Sequence, residues 1–103
     1  MIHQFDVYAT PLRRDKLERP YVLVMQSDLI DKNSRICAPM VAERFLVPMR
    51  RLNPIFEIEG NRYYLNPVDL ITLSVRALRK PIANLESERY HIIAALDLVF
   101  TGI

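Results

Sequence analysis

Glycine is nearly missing from this chain: Gly60 and Gly102 are the only two among 103 residues. Phosphate-cradling loops of the nucleotide-kinase or dinucleotide type need several glycines at fixed spacing, so both are excluded. Cysteine is scarcer still. Cys37 stands alone, which rules out an intrachain disulfide and fits a reducing cytosol. Within the apolar run RICAPM it reads as an inert core residue rather than a reactive thiol. The two histidines, His3 and His91, lie at opposite ends of the sequence, and neither has the spacing of a zinc site. Charge of one sign is not in excess. A formal net charge of +2 is far below that of proteins that hold DNA or RNA electrostatically. No apolar run approaches the roughly 18 residues of a membrane span. The start, MIHQFDVYAT, lacks the charged, then apolar, then small order of a signal peptide. The expectation is a cytoplasmic protein with no metal, no cofactor, no membrane partner and no direct nucleic-acid contact.

What is present is apolar: 50% of the residues are hydrophobic and 25% charged, which fits one small domain over residues 1–103. A domain this short leaves much of its surface exposed, and dimerisation is a natural way to complete its core. HQFDVYA alternates Phe5, Val7 and Ala9 with Gln4, Asp6 and Tyr8, the period of a half-buried strand. TPLRRDKLERP, with two prolines and no apolar period, is an exposed loop. YVLVM reads as a strand covered on both faces. QSDLIDKNS turns the chain, and its Leu29 and Ile30 either fold back onto the core or belong to a binding surface. RICAPMV is a third strand, with Pro39 at an edge, a bulge or a strand end. AERFLVPM fits a helical turn or a bent strand. PIFEIEGNRYYLNP is a hairpin turning at Gly60-Asn61, with Glu59 facing Arg62. Val68 to Ile71 fit one helical turn, and Leu73, Val75 and Ala77 alternate as a last strand ending before Lys80-Pro81.

The last element is a helix starting near Glu86, with Ser87 or Asn84 as cap and Glu86 and Glu88 in its first turn. Ile92, Leu96, Val99 and Ile103 form its apolar stripe, while Ile93, Ala94, Leu98 and Phe100 lie off it. With Asp97 the one charge between residues 92 and 100, the segment AALDLVFTGI carries more apolar surface than one core absorbs. Part of it is expected to meet a second subunit, a partner, or both. Many short strands followed by one helix make an α+β, mainly β arrangement.

No constellation of catalytic residues emerges. Arg13, Arg14, Lys16 and Arg19 would offer cations to a ribonuclease, but Asp15 and Glu18 interleave them, so a solvated loop is the plainer reading. Arg50-Arg51 and Arg79-Lys80 are solubilising pairs, or a surface for an acidic disordered partner.

QFDVYAT, YVLVMQSDLID, RICAPMVAER and AALDLVFTGI together resemble the CcdB family of toxins, in register from Gln4 to Ile103, with a longer loop near residues 11 to 19. The resemblance implies an SH3-like barrel of antiparallel strands with a C-terminal α-helix, a fold shared with the MazF ribonucleases, assembled as a symmetric homodimer. It implies a non-enzymatic toxin of a type II toxin-antitoxin system that binds the A subunit of DNA gyrase and traps the gyrase-DNA cleavage complex. A CcdA-type antitoxin would neutralise it through a disordered segment, and the two would repress their own operon. The gyrase-contacting positions carry over to Leu29, Ile30, Asp97, Phe100, Thr101, Gly102 and Ile103. Two departures matter: Thr101 stands where well-known members have a tryptophan, and Asp97 replaces an asparagine. Two alternatives follow. One is a non-toxic or weakened homologue that only dimerises and binds antitoxin; the other, by fold analogy alone, is a MazF-like endoribonuclease.

Overall fold

The computed structural model describes residues 1–102. Seven strands form one antiparallel sheet: β1 (Asp6–Ala9), β2 (Tyr21–Val24), β3 (Ser34–Ala42), β4 (Ile55–Ile58), β5 (Asn61–Leu65), β6 (Ile71–Ser74) and β7 (Ala83–Asn84). The spatial order is β4-β5-β3-β2-β1-β7, with β6 also paired to β3. The sheet curls into a nearly closed barrel followed by one helix, α1 (Arg89–Thr101), as expected for an SH3-like barrel with a C-terminal helix.

The core has two parts because the central strands are covered on both sides. Leu23 of β2 and Ala38 and Met40 of β3 point into the barrel, where they meet Phe5, Leu65 and Ile92 of α1. The alternate residues Val22, Val24 and Cys37 point outward, against Leu73 and Leu78. The double cover expected for YVLVM is therefore present. It extends to β1, where the half-buried reading fails: Val7 faces the barrel, but Tyr8 is also buried, at 2% exposure, beneath the chain that follows β6. That same cover buries Cys37 completely, and desolvation pushes its thiol pKa up to about 12.

Several local expectations are corrected. Pro39 lies inside the longest strand, opposite Val22 of β2. On the other side of β3, pairing to β6 ends at Cys37 and pairing to β5 begins at Met40, so the missing N–H falls between two partners. The hairpin turns one residue earlier than its dipeptide signal indicates. Ile58 pairs with Asn61, leaving Glu59 and Gly60 as the loop with φ of 50° and 84°, both positive as a tight two-residue turn requires. Arg62 consequently faces Glu57, while the Glu59 carboxylate accepts a bond from the Tyr21 hydroxyl at 2.9 Å. Residues 68 to 70 make no helical turn. The Asn66 side chain instead closes a polar turn onto Val68 N–H and Asp69. The strand expected to run through Ala77 as the last one stops at Ser74 and is followed by β7; the Ser74 Oγ accepts the Arg76 N–H and opens a single 3-10 turn over Val75–Ala77. AERFLVPM contains a 3-10 turn over Glu43–Phe45.

Neither expected cap holds the N-cap position: Leu85 precedes the 3-10 turn Glu86–Glu88 and Glu88 precedes α1, neither bonding through its side chain, while Asn84, one residue further out, accepts the Glu86 N–H on Oδ1 at 2.8 Å. Ser87 takes no such role. Among the described residues, no helix is long and apolar enough to cross a membrane.

Candidate functional site

The turn between β2 and β3 is built to hold an apolar tip away from the core. Gln26 donates from Nε2 to the Ile30 carbonyl at 2.7 Å and accepts the Ile36 N–H on Oε1 at 3.1 Å, spanning the turn with one side chain. Ser27 Oγ accepts the Leu29 N–H, and the Ser27 carbonyl accepts the Ile30 N–H. At the far end the largely buried Arg35 donates to the Lys32 and Ser34 carbonyls and to Asp31. So many bonds fix the backbone while Leu29 remains 94% exposed and Ile30 52% exposed. The alternative in which these two fold back onto the core is thereby removed. The sequence gives no sign of these roles for Gln26 and Arg35, because long polar side chains flanking a turn look like solvated residues.

A chain of contacts ties this turn to the start of α1. Asp28 accepts the Gln4 N–H at 2.7 Å and lies 3.6 Å from His3 Nδ1. Gln4 in turn accepts from Arg89 at 3.2 Å. Arg89 also donates to both Glu86 oxygens, at 2.6 and 2.9 Å, and this pairing holds the Glu86 carboxyl below the usual range. The Arg89 guanidinium covers the Phe5 ring at 4.8 Å. Phe5 is reached through a left-handed backbone with φ of 69°, an uncommon state for a bulky residue that lets the ring enter the barrel while Gln4 stays beside the turn.

On α1 itself, Ile92 and Ala95 are buried, and Leu96 and Val99 flank them half-buried. The described part of the expected stripe thus faces the barrel, with Ala95 added to it. The opposite side carries Tyr90, Ala94, Asp97, Phe100 and Thr101, at spacings that share one helix face, with Ile93 at the boundary, half-buried and packed partly against the barrel core. Tyr90 is 79% exposed and Phe100 69%. A shallow hollow of about 630 Å³, lined by Arg89, Tyr90, Ile93, Ala94 and Asp97, runs along this face. Thr101 turns its hydroxyl back to the Asp97 carbonyl at 2.7 Å, so its one polar group is satisfied within the helix. Gly102 ends the helix with φ of 74° and donates its N–H to the Leu98 carbonyl at 3.1 Å.

The seven positions carried over by resemblance therefore fall into two groups. Leu29 and Ile30 sit on a turn tied to the first turn of α1. Asp97, Phe100, Thr101 and Gly102 lie at its far end, about 18 Å of helix further on at the usual rise per residue. Ile103 lies outside the described residues. The histidines are apart, His3 beside Asp28 and His91 beside Glu88, and among the described residues no cluster of three or more His, Cys, Asp or Glu is placed to hold a metal ion.

A family model described as CcdB protein matches residues 4–102, nearly the whole chain. The chain belongs to the CcdB family. With this barrel, turn and helix, membership makes it a toxin-type component of a toxin-antitoxin module. All six described positions of the CcdB-derived set are solvent-exposed, although Leu29, Ile30 and Phe100 are large and apolar.

Proposed function

We propose that this CcdB-family protein poisons DNA gyrase. It binds the A subunit through Leu29, Ile30, Asp97, Phe100, Thr101, Gly102 and Ile103, traps the gyrase-DNA cleavage complex, and is neutralised by a CcdA-type antitoxin. The observation that carries this reading is the exposure of three large apolar side chains on rigid supports at the carried-over positions. Burying each such side chain in a partner contributes roughly 1.5 to 3 kcal/mol, and the fixed turn and helix lose little entropy on binding. No bond-making chemistry is assigned to the protein. It acts in the cytoplasm as a binder, and it touches DNA only through gyrase or antitoxin, with which it represses its own operon.

The distance between the two groups favours a homodimer. One partner meeting both the Leu29 turn and the Phe100 end must span about 18 Å of helix, or a two-fold axis must bring a second copy's residues alongside. The exposed apolar face of α1 is suited to that contact.

Thr101 favours a second reading, a weakened toxin that retains dimerisation and antitoxin binding. A small side chain bonded back to Asp97 cannot fill a tryptophan's pocket, and losing such an anchor costs ~2 to 4 kcal/mol, roughly thirty- to a thousand-fold in affinity. Expression in a gyrase-sensitive bacterium, with and without the cognate antitoxin, separates the two. Killing that antitoxin reverses supports the first; survival with a folded, antitoxin-binding dimer supports the second. Removing Gly102 and Ile103 is expected to abolish killing and leave the dimer folded. Undiminished killing would mean that the carried-over site is wrong.

A further inference from the structure

The Leu29–Ile30 turn and the start of α1 meet at one residue, Gln4, whose four hydrogen-bonding groups are all engaged. Its N–H donates to Asp28 in the turn at 2.7 Å, and its Nε2 to the Met25 carbonyl at 3.0 Å. Its carbonyl accepts from Asn84 Nδ2 at 3.2 Å, and its Oε1 from Arg89, also at 3.2 Å. The next residue, Phe5, has φ of 69°, a state that persists for a bulky side chain only where its neighbours over-determine it. The barrel supplies part of that restraint. The Phe5 N–H donates to the Val24 carbonyl at 2.7 Å, and the Phe5 carbonyl accepts the Leu85 N–H at 2.9 Å.

Arg89 supplies the rest from outside. It holds the side chain just before the strained residue and lays its guanidinium 4.8 Å over the Phe5 ring. Glu86 fixes it in place with both carboxylate oxygens, so Arg89 Nε and Nη2 already donate within the protein. Without Arg89, Gln4 loses one of its two side-chain anchors and the Phe5 ring loses its cover. The Gln4 N–H, which holds Asp28 next to Leu29, is then free to shift. From this geometry we infer that Arg89 is a positioning residue: it acts through Gln4, Phe5 and Asp28, not by touching a partner, and sets the place of Leu29 and Ile30. The inference rests on the proposed function for what those two side chains then meet, the gyrase A subunit. It joins the turn and the helix into one recognition unit, with the first residue of α1 felt at the tip of the turn.

The test pairs amide exchange on the free protein with calorimetry against the gyrase A subunit. Arg89→Ala should speed exchange at the Leu29 and Ile30 amides by about fivefold or more while amides of β2 and β3 keep their rates. It should weaken gyrase binding by about three- to thirtyfold. In a Leu29→Ala background the same substitution should cost much less, because a side chain that it positions is gone. Arg89→Lys keeps the charge but not the planar fork that reaches Gln4 and Glu86 together, and it should behave like Arg89→Ala. The inference is overturned by unchanged exchange at the turn, by equal acceleration throughout the barrel, by fully additive losses in the double variant, which would make Arg89 a direct contact, or by full recovery with lysine. Failure of the unaltered protein to bind gyrase would instead overturn the proposed function, and exchange in the free protein would still decide whether Arg89 sets the turn.

Discussion

The two faces of α1 are made of similar residues and do opposite work. On the inner face Ile92 and Ala95 are fully buried against the barrel and hold the helix to it. On the outer face Tyr90 and Phe100, equally apolar in size, are 79% and 69% exposed, and Thr101 and Gly102 finish the same side. The inner face answers to packing, and under the proposed function the outer face answers to a partner. The turn at Leu29 repeats the pattern: apolar at the tip, yet pinned by Gln26 and Arg35 so that it cannot collapse inward.

Substitutions separate the two roles. Ile92→Ala should cost ~2 to 5 kcal/mol of stability through the cavity it leaves, read as a lower urea midpoint at unchanged slope. Phe100→Ala should change stability by no more than ~0.5 kcal/mol and leave that midpoint nearly unmoved, yet lower affinity for the gyrase A subunit. Comparable unfolding costs at both positions would erase the distinction. Adding to the outer face should have the reverse effect: Thr101→Trp restores a large anchor and should tighten gyrase binding by up to ~2 to 4 kcal/mol. Calorimetry on the two proteins checks it, and a weaker complex would show that the interface has been rebuilt around threonine.

The turn yields a smaller effect. Gln26→Ala removes the side-chain bonds to Ile30, Ser34 and Ile36 that span it and should cost ~1 kcal/mol of stability. It should also weaken gyrase binding although Gln26 need not touch the partner, because Leu29 and Ile30 then lose their fixed position. Amide exchange at Ile36, whose N–H donates to Gln26, should speed up in parallel. The smallest effect is on pH. Burial raises the pKa of Cys37 from 9.0 to about 12 and that of Tyr8 from 10.0 to about 12. Both groups ionise sooner in the unfolded chain. Their contribution is intact below pH ~9 and is lost as pH rises toward 12, so thermal midpoints should fall across that alkaline range and Cys37 should resist alkylation until the protein unfolds.

Much of this architecture is legible in the sequence wherever both faces of an element make the same demand. YVLVM is apolar throughout and is buried from Val22 to Met25, and the inner stripe of α1 follows a helical period. Legibility fails where a distant segment decides. Nothing in HQFDVYA says that residues after β6 will cover Tyr8, and nothing local tells Pro39 that its neighbour changes from β6 to β5 beside it. The hairpin slipped by one residue because Gly60-Asn61 is a good turn dipeptide, whereas the cross-strand pairing of Ile58 with Asn61 placed Glu59 in the loop. The candidate site is suggested in the sequence only by family likeness. Apolar residues at a turn and at a helix end look the same in sequence whether they pack inward or wait for a partner, and the bonds of Gln26 and Arg35 that decide the matter at the turn appear only in three dimensions.

The most direct test of the central claim is a cleavage assay with purified gyrase and supercoiled DNA, stopped with denaturant. The account predicts that the protein converts the DNA to linear form, and that Leu29→Ala/Ile30→Ala, which keeps the fold, prevents this. No linear DNA at saturating protein, or equal cleavage by the double variant, would contradict it.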